Sequence, residues 1–232
     1  MKPYQKVPIE ECGEALAAIS LSKFETVTPH PYVALGAPYG SYSPYYLRQG
    51  VLNKLSAAQT CLQASNAGWK LQVFDAYRPI SVQQFMVDHT FGQLAAAEGI
   101  EPAAADPATR QRLQDKVSEF WAVPSTDPRM PPPHSTGAAV DLTLLDSEGN
   151  PVNMGSAIDE ISPRSYPNYF AQQAGNEAQQ FHYHRQLLMQ VMTQAGFRQH
   201  PNEWWHFSSG DQLWAWQEGN GAIAKYGNAC PN

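Results

Sequence analysis

Apolar residues at 51, 52, 55, 58, 61 and 62 recur at the spacing of one helical face, and Gly68 stands where a C-terminal cap belongs, so the pattern predicts a helix over 51–67. Directly after it, 69–74 (Trp, Lys, Leu, Gln, Val, Phe) alternates apolar and polar side chains, the period of a half-buried strand. That strand runs into Asp75-Ala76-Tyr77-Arg78-Pro79. Residues 81–97 and 106–121 read as helices, the second with Asp106 as N-cap and Pro107 at the first helical position. The Pro-rich stretch 122–133 reads as loop, and 138–145 as an inner strand interrupted by one carboxylate, Asp141, which needs a partner if buried. Further along, 146–150 suits a hairpin turn, 176–195 a long helix ending at Gly196, and 203–207 another strand. The first fifty residues, rich in Tyr, Pro and Gly, read as surface loops with a short strand at 24–27. Nothing divides the chain into repeats or linked parts. The expectation is an α+β protein: one domain over 1–232, loop-rich over 1–50, with a core over 69–207 in which helices flank a central antiparallel sheet.

Composition narrows the class. Of 232 residues, 43% are hydrophobic and 11% aromatic, enough to bury a core. Lys plus Arg number 15 against 21 Asp plus Glu, a net charge of −6, which is not the clustered cationic surface of a nucleic-acid binder. No apolar run approaches the roughly 18 residues of a membrane span. Glu10, Glu11 and Glu14 stand where an export signal carries its apolar stretch, so the expected location is cytoplasmic. Cys12, Cys61 and Cys230 are widely spaced and contain no CxxC pair, the pattern of ordinary thiols.

Candidate chemistry concentrates in a few positions. Of seven histidines, His30, His89 and His200 are isolated, and His182 and His184, two apart on a predicted helix, point to different faces. His134 is different: it lies seven residues before Asp141, with Gly137 between them removing a Cβ where the chain turns back. Glu203-Trp204-Trp205-His206 adds a histidine three residues after a second carboxylate. His134, Asp141 and His206 make a three-ligand set suited to one catalytic zinc ion, with Glu203 as general base for a water molecule. The alternative is that Asp141 and His206 are paired core groups and Glu203 a surface residue. Arg78, fixed in direction by Pro79, is either an oxyanion donor or an ion-pair partner of Asp75, and both can hold at once.

These motifs resemble the D-alanyl-D-alanine dipeptidases of the vancomycin-resistance type, within the zinc D,D-peptidases of family M15 that also include D,D-carboxypeptidases and the zinc domain of hedgehog proteins. The resemblance rests on Asp75-x-Tyr77-Arg78-Pro79, His134-x-x-Gly137-x-Ala139-x-Asp141-Leu142-Thr143-Leu144, Met154-Gly155-x-x-x-Asp159 and Glu203-Trp204-Trp205-His206, in family order. It implies a hedgehog/D,D-peptidase-like zinc site with ligands His134, Asp141 and His206. It makes Glu203 base and then acid, and Arg78 the stabiliser of the tetrahedral intermediate. Asp159 is implied as anchor for the dipeptide ammonium, where its residue type also suits a turn or helix cap. The implied reaction is hydrolysis of D-Ala-D-Ala to two D-alanines. A D,D-carboxypeptidase on wall peptides and a non-catalytic zinc-binding domain are the alternatives. One departure stands out: Pro132 occupies the place of a family serine, which removes a hydroxyl contact to substrate.

Overall fold

The structure, a computed structural model, describes residues 2–21 and 23–229, so Cys230 lies outside the described residues. Seven strands occur among them: β1 (Leu16–Ala18), β2 (Glu25–Thr26), β3 (Tyr46–Arg48), β4 (Lys70–Asp75), β5 (Ala139–Leu145), β6 (Arg198–Gln199) and β7 (His206–Ser208). The helices are α1 (Pro31–Ala34), α2 (Gln49–Ser65), α3 (Ile80–Ala97), α4 (Pro107–Phe120), α5 (Asn176–Gln194) and α6 (Gln212–Glu218).

The central sheet has the order β2-β4-β5-β7-β6, and β1 pairs with β3 in a separate two-stranded ribbon. The α+β expectation holds, with one correction to the antiparallel sheet. β2 runs parallel to β4. A parallel pair needs a crossover connection, and α2 lies within the chain that joins the two strands.

Two apolar clusters cover the sheet. One joins α2 (Val51, Leu55, Ala58, Leu62) and α5 (Leu187, Leu188, Val191, Met192) to Leu71, Val73, Val140, Leu142 and Leu144. The other joins α3 (Val82, Met86, Val87, Phe91) and α4 (Leu113, Val117) to Trp121 and to Tyr32 and Tyr39 of the early segment. The α4 cap is as predicted, the Asp106 carboxylate accepting from the backbone N–H of Ala108 at 2.9 Å and Thr109 at 3.0 Å.

Three other expectations change. The first fifty residues are not merely surface loop, because Tyr4, Ile19, Phe24, Tyr32, Tyr39 and Leu47 are buried. Their Pro- and Gly-rich spacing breaks regular elements but still drives aromatic rings inward. α2 stops at Ser65, and Gly68, at φ 81°, serves the following turn instead of capping the helix. The strand expected over 203–207 is His206–Ser208, with Glu203 in the turn before it. Trp204 and Trp205 are both buried there, so strict strand alternation fails at those positions.

Candidate active site

The sheet register assembles the site. In β4 and β5 the pairing runs Val73 to Leu142 and then shifts, so that Asp75 faces Asp141; in β5 and β7, Asp141 faces His206. Asp75, Asp141 and His206 therefore form a row across three strands. Two carboxylates directly opposite repel. Arg78 offsets this: its Nη2 lies 2.7 Å from Asp75 Oδ2 and 3.3 Å from Asp141 Oδ2. Nε and Nη1 donate to Asp75 Oδ2 and Gln83 Oε1, both at 2.9 Å. The guanidinium is stacked 4.9 Å from the Trp121 ring centroid and 5.0 Å from that of Tyr32. Both readings of Arg78 thus have a geometric basis, since it pairs with Asp75 and also borders the cavity.

His134 enters from the 3-10 turn Pro133–Thr136, which Gly137 ends at φ 69°. A Cβ there would come 2.3 Å from Leu16 Cδ2, so the turn requires glycine for conformation and for space. His134 Nδ1 donates to the Ala76 carbonyl at 2.7 Å, leaving Nε2 facing Asp141 Oδ2 at 3.2 Å. His206 Nε2 bonds to Ser208 Oγ at 3.3 Å, and that hydroxyl donates to Asp211 at 2.8 Å. His206 Nδ1 then faces the His134 Nε2 at 3.1 Å. With the outer nitrogen of each ring committed to a protein acceptor, the inner nitrogens present lone pairs towards each other. Asp141 Oδ1 is buried, lies 3.0 Å from His206 Nδ1, and has no hydrogen-bond partner among the described residues. Two lone pairs and an orphaned carboxylate oxygen meeting in a buried spot fit a cation. Among the described residues these three alone form a group able to hold a metal ion, their ligand atoms within 4.8 Å of one another.

Glu203 borders the same cavity, its Oε2 3.7 Å from His206 Nδ1 and its Oε1 3.5 Å from His200 Nδ1. Burial, with the charge of Asp141, pushes the Glu203 carboxyl well above the usual range. Asp141 goes the other way, lying below the usual carboxylate range against its own burial. Asp159 sits in a loop after Met154-Gly155, at φ 64°, and accepts from the Tyr32 hydroxyl at 2.7 Å. Burial and the nearby Asp141 push it up to about 7. Gly155 of the same motif, at φ 82°, is irreplaceable, since a Cβ would come 2.4 Å from Phe170.

Every site residue singled out from sequence thus borders or contacts this one cavity. Trp121, Lys2 and Tyr4 were not singled out from sequence and His200 was set aside as isolated, yet all four line the cavity, and Tyr32 of the early aromatic segment contacts its wall. Tyr32 lay within an aromatic segment with no spacing to connect it to Asp159. His30, set aside as isolated, lies 3.1 Å from Asp75 Oδ1 and caps α1 by accepting from the Tyr32 N–H.

Two imidazoles and a carboxylate gathered around an unpaired buried oxygen, with a protonatable glutamate alongside, define the centre of a metal-dependent hydrolase. Comparison with known proteins makes the assignment specific. The family profile for D-Ala-D-Ala dipeptidases of the M15 peptidases matches residues 25–222, and the chain belongs to that family. A D-alanyl-D-alanine dipeptidase of Synechocystis is 50% identical over 223 residues, covering 94% of this chain and 90% of that protein. A D-alanyl-D-alanine dipeptidase of Enterococcus faecalis is 29% identical over 68% of this chain and 71% of its own length. The solved structure of VanYB in complex with D-Alanine-D-Alanine aligns at a TM-score of 0.42 and 17% identity, covering 71% of each chain.

Proposed function

We propose that the protein hydrolyses free D-Ala-D-Ala to two D-alanines with one zinc ion held by His134 Nε2, Asp141 and His206 Nδ1. The observation that carries this reading is the meeting of those three ligands, Glu203 and Asp159 around one cavity. Zinc bound there supplies Lewis acidity towards the scissile carbonyl and towards a water molecule. Glu203, on the cavity wall beside the three ligands, accepts a proton from the attacking water. It then delivers that proton to the departing amine as the C–N bond breaks. Arg78, rigid between Asp75 and Gln83, faces the negative charge that develops on the carbonyl oxygen. Asp159 takes the substrate ammonium, and a blocked amine would leave it without a partner. Residues 1–232 act in this reading as one catalytic domain, because residues 2 and 4 line the same cavity as the 69–207 core.

The Glu203→Gln substitution tests the assignment. Turnover of D-Ala-D-Ala is expected to fall by about a thousandfold or more while zinc content, measured on the purified protein, stays at one per chain. Near-normal turnover in that variant contradicts the role given to Glu203.

A further inference from the structure

The amino-terminal segment brings a cation to the cavity. Residues Pro3–Lys6 form a 3-10 turn that packs on α6. The Gln212 side-chain amide pins it there, donating to the carbonyls of Val7 at 2.6 Å and Gln5 at 3.4 Å, and also to that of Arg129 at 3.0 Å. Tyr4 is buried at the base of this arm, and the half-buried Lys2 beyond it joins the cavity wall that holds Glu203, Asp159 and the three-ligand cluster.

The charges around the cavity make Lys2 distinctive. Its described wall includes three carboxylates, Asp141, Asp159 and Glu203, against two cations, Arg78 and Lys2. Arg78 already pairs with Asp75 and Asp141, and in the reading above it serves the carbonyl oxygen of the scissile bond. The Lys2 ammonium forms no ion pair among the described residues; its partial burial pulls its pKa below the ordinary lysine value, an effect that the charge of Glu203 opposes. A free dipeptide is a zwitterion. Asp159 matches its ammonium end, so its carboxylate end, entering a wall crowded with acids, requires a positive partner. Pro132 and Pro133 beside His134 bring no backbone N–H to serve instead.

We propose that Lys2, held by the arm on α6, anchors the carboxylate of the dipeptide's C-terminal residue and so makes a free C-terminus part of substrate selection. This rests on the dipeptidase reading above. It gives the arm a role in specificity: one end of the substrate is read by the loop carrying Asp159, the other by the chain's first residues.

The test compares D-Ala-D-Ala with D-alanyl-D-alaninamide, which keeps the ammonium and the scissile bond but lacks the carboxylate, on the zinc-loaded full chain. Lys2→Met is expected to raise KM for D-Ala-D-Ala by about tenfold to a hundredfold, the scale of a lost charge-assisted hydrogen bond, with kcat within about threefold. KM for the amide is expected to stay unchanged, and Lys2→Arg to retain most of the preference for the free carboxylate. An equal fall in kcat for both substrates would overturn the proposal, because Lys2 would then act on Glu203. Unchanged kinetics for both would overturn it as well while leaving the dipeptidase reading intact. A wild-type protein inert on D-Ala-D-Ala would overturn that reading, and the proposal with it.

Discussion

Asp159 combines a left-handed backbone, φ 64°, with a carboxyl that burial and the charge of Asp141 push up to about 7. Its stability consequence has a definite sign. Because the folded-state value lies above the unfolded one of 3.8, the favourable contribution of the neutral carboxyl is present below about pH 4 and is lost as the pH rises through 7. Asp159→Asn removes that loss. The metal-free variant is expected to melt several degrees higher than the parent at pH 8, from a gain of up to about 4 kcal/mol, and to match it near pH 4. The same variant is expected to lose most activity on D-Ala-D-Ala. Equal melting temperatures of the two proteins at both pH values would contradict this account of the carboxyl. At this scale the sequence showed what lies in short motifs: His134 and Asp141 flank one turn, and Glu203 and His206 another. Tyr32 and Lys2 were not legible, since tertiary packing brings them, Lys2 to the cavity and Tyr32 to its wall residues Asp159 and Arg78, from more than a hundred positions away from His134 and Glu203.

Among the groups that hold the loop bearing Asp159, which include Arg164, His184 and Trp204, is a buried cation. Arg185 of α5, 1% exposed, donates from Nε to the Met154 carbonyl at 2.7 Å, from Nη1 to the Tyr166 carbonyl at 2.9 Å and from Nη2 to Ser156 Oγ at 3.0 Å. Arg185→Met keeps the methylene packing and orphans two carbonyls. It is expected to cost about 3 kcal/mol, read as a lower urea midpoint, and to raise KM for the dipeptide as Asp159 loses its fixed position. An unchanged midpoint would mean that the loop is held by other contacts. Helical faces and the β4 alternation were readable because a period repeats along them, and β5 because a short apolar run marks an inner strand. The shift between Val73 and Asp75 was not, although it sets Asp75 opposite Asp141 and thereby creates the seat for Arg78. A register shift leaves no periodic signal in either strand. The parallel β2 edge was equally hidden, since two residues carry too little pattern to show direction.

In the whole molecule the cavity draws on both apolar clusters, with Trp205 from one and Trp121 from the other in its wall. The three proposed metal ligands border that cavity, so zinc occupancy and global stability are expected to be linked. Chelation is expected to lower the melting temperature, and added zinc to restore it in proportion to the logarithm of free zinc over Kd. A melting temperature indifferent to zinc would contradict the buried three-ligand site. No helix among the described residues is long and apolar enough to cross a membrane.

The substrate assignment is tested by hydrolysis of D-Ala-D-Ala beside N-acetyl-D-Ala-D-Ala and L-Ala-L-Ala, with and without a chelator and with zinc restored. Cleavage of the free D,D-dipeptide alone is expected, abolished by the chelator and recovered with zinc. Efficient cleavage of the acetylated peptide would contradict the ammonium-anchoring role of Asp159 and point to a carboxypeptidase, and a zinc-loaded protein inert on all three would contradict the assigned activity.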